Sequence, residues 1–120
     1  MKKKIYYGLA VFGKSEVKAV NRVLKENRLN LIDGPHVKQF EKKVAKIFGK
    51  KFALMVNSGS SANLLALAAL NLKKGSEVIT PSLTFSTTVA PIYQLGLIPA
   101  FVDVELNKFI IDIKKIEKNI

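Results

Sequence analysis

Between Phe52 and Leu72 the chain passes from the apolar run FALMV through the polar knot VNSGSS into ANLLALAALNL, without a single charged residue. This stretch narrows the choice of fold more than any other. A continuous apolar run of this length fits a strand covered on both faces, because a half-exposed strand alternates. The stretch Ser60–Leu72 offers no charged side to water, so a helix there is predicted to be buried nearly all round, and Lys73-Lys74-Gly75 ends it. The same order then repeats. Val78-Ile79-Thr80 reads as a second strand closed by Pro81, residues 86–95 as a helix, Leu97–Val104 as a third strand, and Asp112–Asn119 as a charged helix. Strand alternating with helix from 52 onward predicts an α/β fold with a mostly parallel sheet and crossover helices. Pro91 breaks a rule inside its helix, since it costs a backbone hydrogen bond unless it lies in the first turn.

Two helices are predicted ahead of this region. In SEVKAVNRVLKEN (15–27), Val17, Val20, Val23 and Leu24 share a face at helical spacing. Asn30–Pro35 is turn chemistry, with Asp-Gly-Pro stopping any preceding helix. From His36 to Phe48 a second amphipathic helix sets Phe40, Val44, Ile47 and Phe48 on its apolar side, and Gly49 stops it. Lysines in its last turn suit the dipole.

A length of 120 residues allows one domain or part of one. The longest apolar run, Leu64–Leu70, is far too short to cross a bilayer. The opening MKKKIYYGLAVFG lacks the long apolar region of a signal peptide and is interrupted by Lys14 and Glu16, so the expected location is cytoplasmic. There is no cysteine, which excludes disulfides and thiol catalysis by this segment. The net charge of +11 raises nucleic acid as a partner. However, 18 of the 20 basic residues are lysines, in scattered pairs, and only Arg22 and Arg28 carry the planar fork that reads bases and phosphates. Aromatic residues are not interleaved with a basic face either. The expectation is solvated lysine faces, no nucleic-acid partner and no membrane insertion. His36, in a loop after Gly-Pro, is assigned no chemistry.

The knot VNSGSS falls at the carboxyl end of a strand as it enters a helix, the place where open parallel sheets bind ligands. Gly59 lets a ligand approach the backbone, the first-turn amides are orphan donors at the positive end of the dipole, and Ser58, Ser60 and Ser61 add hydroxyls. These suit a phosphate. Simple N-capping by serine and asparagine explains the same residues. In PSLTFSTT (81–88), at the next strand end, Phe85 is either a core aromatic or a flat surface for a heterocycle. Asp103 reads as a helix cap, an orienter of neighbouring groups or a substrate contact.

Taken together, GPHVKQFEKKVAKIFGKK, VNSGSSANLLALAAL and GSEVITPSLTFSTTVAPIYQLGLIPAFVDVE resemble the N-terminal part of the DegT/DnrJ/StrS family. Its members are pyridoxal-phosphate-dependent sugar-nucleotide enzymes of the aspartate-aminotransferase fold. The likeness runs from about Tyr7 to Ile120. It implies the N-terminal part of an aspartate-aminotransferase-like, fold type I large domain: two leading helices, then alternating strand and helix. Residues 1–120 are then a single partial domain, with a helical segment over 1–50 and the start of the cofactor-binding α/β domain over 51–120. By resemblance, Gly59 and Ser60 hold the phosphate of pyridoxal 5'-phosphate or pyridoxamine 5'-phosphate, beside Ser58 and Ser61, and Phe85 stacks on its ring. Asp33-Gly34-Pro35 matches, more loosely, a stretch near the substrate, often across a dimer interface.

The family's lysine that holds the cofactor covalently, and its aspartate that pairs with the pyridinium nitrogen, lie at positions beyond Ile120. None of the 18 lysines here has the matching context. The resemblance therefore implies part of an enzyme that moves an amino group from an amino-acid donor to a keto-sugar nucleotide, inactive alone and homodimeric when whole. VNSGSSANLLA and TTVAPIYQLGLIPAFVDV also resemble the family's sugar 3-dehydratases, which use pyridoxamine phosphate; the short linker Asn71–Gly75 favours the aminotransferase. A reading from another class, a small basic nucleic-acid-binding module, predicts salt-sensitive binding instead.

Overall fold

The structure is a computed structural model that describes residues 4–26, 29 and 31–119. In chain order it contains α1 (Lys14–Glu26), α2 (Pro35–Ile47), α3 (Gly59–Ala69), β1 (Glu77–Pro81), α4 (Ser86–Gln94), β2 (Ile98–Val102), α5 (Ile113–Ile116) and a 3-10 turn over Glu117–Asn119. It divides into two units, residues 1–55 and 56–120.

In the first unit, α1 starts with half of a capping box. Glu16 Oε2 accepts from the Gly13 amide at 2.7 Å and from Ser15 Oγ at 2.9 Å, and the Gly13 bond chiefly holds its carboxyl below the usual carboxylate range. The predicted apolar face of α1 exists, but Val17, Val20 and Leu24 are exposed on it. Asn30, at the head of the predicted turn, lies outside the described residues. Pro35 occupies the first turn of α2, where its missing N–H costs nothing. Gly49 closes α2 with a φ of +60°: its amide donates to Lys46 O and the Lys50 amide donates to Ala45 O, the paired bonds of a Schellman stop.

The predicted apolar side of α2 needs correction. Phe40, Ile47 and Phe48 are exposed, whereas Ala45 is buried and Glu41 half-buried. The reason lies in FALMV, which is not a strand. Among the described residues it has no ladder partner; instead Met55 N donates to Glu41 Oε1 at 2.8 Å. A strand is defined by its neighbour, and an apolar run without one stays irregular.

In the second unit, β1 and β2 pair in parallel with Glu77 opposite Ile98 and Pro81 opposite Val102. Helix α4 is the crossover between them. The core gathers here: Val102 is 0% exposed, Ile92 2% and Leu97 4%. Thr80, 2% exposed, is buried with its hydroxyl unpaired among the described residues.

Helix α3 forms as predicted but ends at Ala69, earlier than Leu72, because Asn71 takes the left-handed conformation (φ +47°) and its amide closes on Ala68 O. None of its residues is buried; only Ser61, Leu64 and Leu67, along one side, are half-buried. The expectation of burial all round fails because its neighbour among the described residues, α4, covers that side only. Pro91 is the sixth residue of α4, beyond the first turn. The carbonyl it leaves without an amide, that of Thr87, accepts from Asn63 Nδ2 of α3 at 3.5 Å. The last predicted helix is a single turn, Ile113–Ile116, capped by Asp112 Oδ1 on Lys114 N at 3.0 Å, and it tightens into the 3-10 turn. No helix among the described residues is long and apolar enough to cross a membrane.

Candidate functional site

The knot between Val56 and Ala62 separates three serines that the sequence alone treats alike. Ser58 is the N-cap of α3, with extended backbone (φ −159°, ψ 159°), and its Oγ accepts from the Ser61 amide at 3.1 Å. Ser58 Oγ in turn donates to Ser61 Oγ at 3.1 Å, and Ser61 Oγ donates to Asn57 Oδ1 at 2.7 Å. Ser58 and Ser61 are thus engaged in capping, which is the simpler of the two readings for them. Asn57, the asparagine of the knot, completes that network.

Ser60 stands apart. Among the described residues neither its hydroxyl nor the amides of Gly59 and Ser60 has a partner. These two amides are the first orphan donors of the helix. A Cβ placed on Gly59 meets nothing within 4 Å, so the space above the backbone there is open. Unpaired donors, a free hydroxyl and the positive dipole end converge on one exposed spot. The donor set fits an anion with several oxygens.

Phe85 is the N-cap of α4 and brings no side-chain bond to it. It is 72% exposed. Its loop is ordered by Thr84 Oγ1 donating to Thr88 Oγ1 at 3.0 Å and by the Thr88 amide on Phe85 O at 2.9 Å. The first turns of α3 and α4 meet along a groove of about 220 Å3, lined by Ser60, Ser61, Leu64, Thr87 and Pro91 among others. Phe85 precedes Thr87, a lining residue, by two positions in the chain. A larger hollow of about 530 Å3 in the other unit, along α1 from Phe12 to Asn21, gathers no comparable set of donors.

At the carboxyl ends of β1 and β2, Asp103 acts as an orienter. Its Oδ1 accepts from Val104 N at 2.9 Å and from Ser82 Oγ at 3.5 Å, and Oδ2 receives Lys115 Nζ at 3.0 Å. The Lys115 hydrogen bond, followed by that of Val104, holds its carboxyl below the usual aspartate range. Asp33 and Gly34 belong to the first unit. Asp33 has φ +52° and an exposed ion pair with Lys38 at 3.6 Å, and Gly34 is the buried N-cap of α2. Among the described residues there is no cluster of His, Cys, Asp or Glu fit to hold a metal.

Residues 11–120 match the DegT/DnrJ/EryC1/StrS aminotransferase family. The chain belongs to that family. A GDP-4-keto-6-deoxy-D-mannose 3-dehydratase of Escherichia coli O55:H7 is 45% identical over 109 residues, covering 86% of this chain and 28% of that protein. A 3-oxo-glucose-6-phosphate:glutamate aminotransferase of Bacillus subtilis strain 168 is 38% identical over 87 residues, covering 72% of this chain and 20% of that protein. Among solved structures, the E. coli GDP-4-keto-6-deoxy-D-mannose-3-dehydratase with bound hydrated PLP superposes with a TM-score of 0.82 at 41% identity, over 93% of this chain and 30% of that one. This DegT/DnrJ/EryC1/StrS chain therefore spans less than a third of the relatives it matches. Its fold class is the expected one, the α/β arrangement of fold type I enzymes.

Proposed function

We propose that the chain is the N-terminal part of a vitamin B6-dependent enzyme acting on keto-sugar nucleotides, and that it holds the phosphate and one face of the cofactor ring. The observation that carries this reading is the meeting of two helix starts: unpaired donors at Gly59 and Ser60 on α3, and an exposed aromatic ring at Phe85 on α4. In this reading the Gly59 and Ser60 amides and the Ser60 hydroxyl bind the phosphate of pyridoxal or pyridoxamine phosphate. Ser58 and Ser61 hold the turn in shape, and Phe85 excludes water from one face of the ring. When bound, the ring supplies an electron sink for carbanion chemistry. Asp33 and Gly34 serve the substrate side.

Of the two reactions, dehydration at C3 of a 4-keto-6-deoxy sugar nucleotide is the leading reading, because identity is higher to the dehydratase (45%) than to the aminotransferase (38%). Amino transfer from an amino-acid donor is the second, favoured by the short linker Asn71–Gly75. The whole enzyme is proposed to be a cytoplasmic homodimer, and the 120-residue chain alone to turn over no substrate. Mass spectrometry of products from the whole protein, supplied with a 4-keto-6-deoxyhexose nucleotide, glutamate and cofactor, tests this. Loss of water supports dehydration, gain of an amino group supports transfer, and an unchanged sugar counts against both. Salt-sensitive retention of nucleic acid on a filter, with no uptake of pyridoxal phosphate, supports a basic binding module instead.

A further inference from the structure

We propose that Asn63 is a positioning residue: from α3 it supplies the hydrogen-bond donor that Pro91 withholds from α4, and so it fixes the two helix starts against each other. In a regular helix the amide of residue 91 donates to the carbonyl of residue 87. Proline has no such hydrogen, and its ring pushes on that same carbonyl. Yet α4 continues past it, with Leu95 N on Pro91 O at 3.1 Å, and Pro91 itself is buried. The freed Thr87 carbonyl accepts Asn63 Nδ2 at 3.5 Å.

The location matters as much as the bond. Asn63 follows Ser60 by three residues, so both stand on one side of α3 within a turn. Thr87 follows Phe85 by two. A single link across the two helices therefore ties the orphan donors of one to the exposed ring of the other. Asn63, Thr88 and Pro91 also share a second hollow of about 470 Å3, floored by Val78 and Thr80 of β1. Asn63 sits on the seam where α3, α4 and the sheet converge. A regular residue at position 91 makes the link redundant, and proline makes it necessary.

The bond itself is independent of any ligand; its consequence for cofactor binding rests on the function proposed above. The test is a two-by-two cycle in the full chain, Asn63→Ala and Pro91→Ala singly and together, read by hydrogen exchange of the α4 amides. Asn63→Ala is expected to speed exchange about two- to tenfold with proline present, and to have no effect once alanine at 91 restores the backbone donor. Equal acceleration in both backgrounds, or none in the first, overturns the proposal. Should Pro91→Ala fail to fold, Asn63→Asp and Asn63→Gln decide. Asp keeps the shape without the donor, and Gln keeps the donor. Faster exchange in the first alone supports the role, and equal behaviour overturns it. A pyridoxal phosphate titration adds a second readout. Weaker uptake by Asn63→Ala, recovered in the double variant, supports the coupling of the two starts, and unchanged uptake overturns it. A wild-type chain that takes up no pyridoxal phosphate counts against the proposed function, and the exchange cycle then decides Asn63 alone.

Discussion

Helix α3 begins with Ser58 folding its hydroxyl back onto the Ser61 amide, whereas α4 begins at Phe85, which brings no side-chain acceptor to its own helix. The first start spends two of its serines on its own stability and leaves Gly59 and Ser60 facing outward. The second leaves a large apolar ring exposed to water. Side by side, they separate residues that make a helix start from residues held out for something else. Stability and ligand affinity should therefore respond to different substitutions, and often in opposite directions.

The sharpest break in that comparison is Gly59→Asp. An acidic residue in the first turn favours the helix dipole, so thermal stability should hold or rise slightly, while pyridoxal phosphate affinity falls by at least about a hundredfold through like-charge repulsion. Calorimetry on the same sample reads both. A loss of folding together with binding makes Gly59 a structural residue instead. Phe85→Ala comes next: an exposed side chain leaves stability within about 0.5 kcal/mol, whereas removing a stacking surface lowers cofactor affinity about tenfold or more. Ser58→Ala and Ser60→Ala divide the serines. The first should cost about 1 kcal/mol of stability as a lost cap. The second should leave the melting curve unchanged and weaken phosphate binding a few-fold. Reversed outcomes would exchange their roles.

The smallest effect concerns Asp103. Its folded carboxyl titrates below the ordinary aspartate value of 3.8, chiefly through the Lys115 bond. A depressed value means that the contribution is complete above about pH 3.8 and disappears as pH falls through the lowered folded value. Melting curves of wild type and Asp103→Asn should differ at neutral pH and converge on strong acidification. A difference that persists in acid would assign the effect to packing.

Much of this was legible in the residues. Gly49 stopping α2, Ser58 preceding α3 and the strand Val78-Ile79-Thr80 each rest on local chemistry that needs no distant partner. The site motif was legible too, but not the division among its serines, because which hydroxyl turns inward depends on Asn57. FALMV misled, since an apolar run states that a segment avoids water and leaves open what covers it. Helix α3 misled for the same reason. Asn63 left a faint signal: a proline deep in a predicted helix implies a foreign donor somewhere, though only the fold says which residue provides it.

Pro99 carries a last implication. Ile98 N donates to Ser76 O and Val102 O accepts from Ser82 N, so residues 98 and 102 turn their backbone groups toward β1, and Pro99, between them, turns away. Its missing hydrogen therefore falls on the outer margin of β2, where a proline is tolerated in a sheet. By the same alternation Pro81 turns its missing hydrogen to the far margin of β1, so each free margin of this pair carries one proline and lacks one donor there.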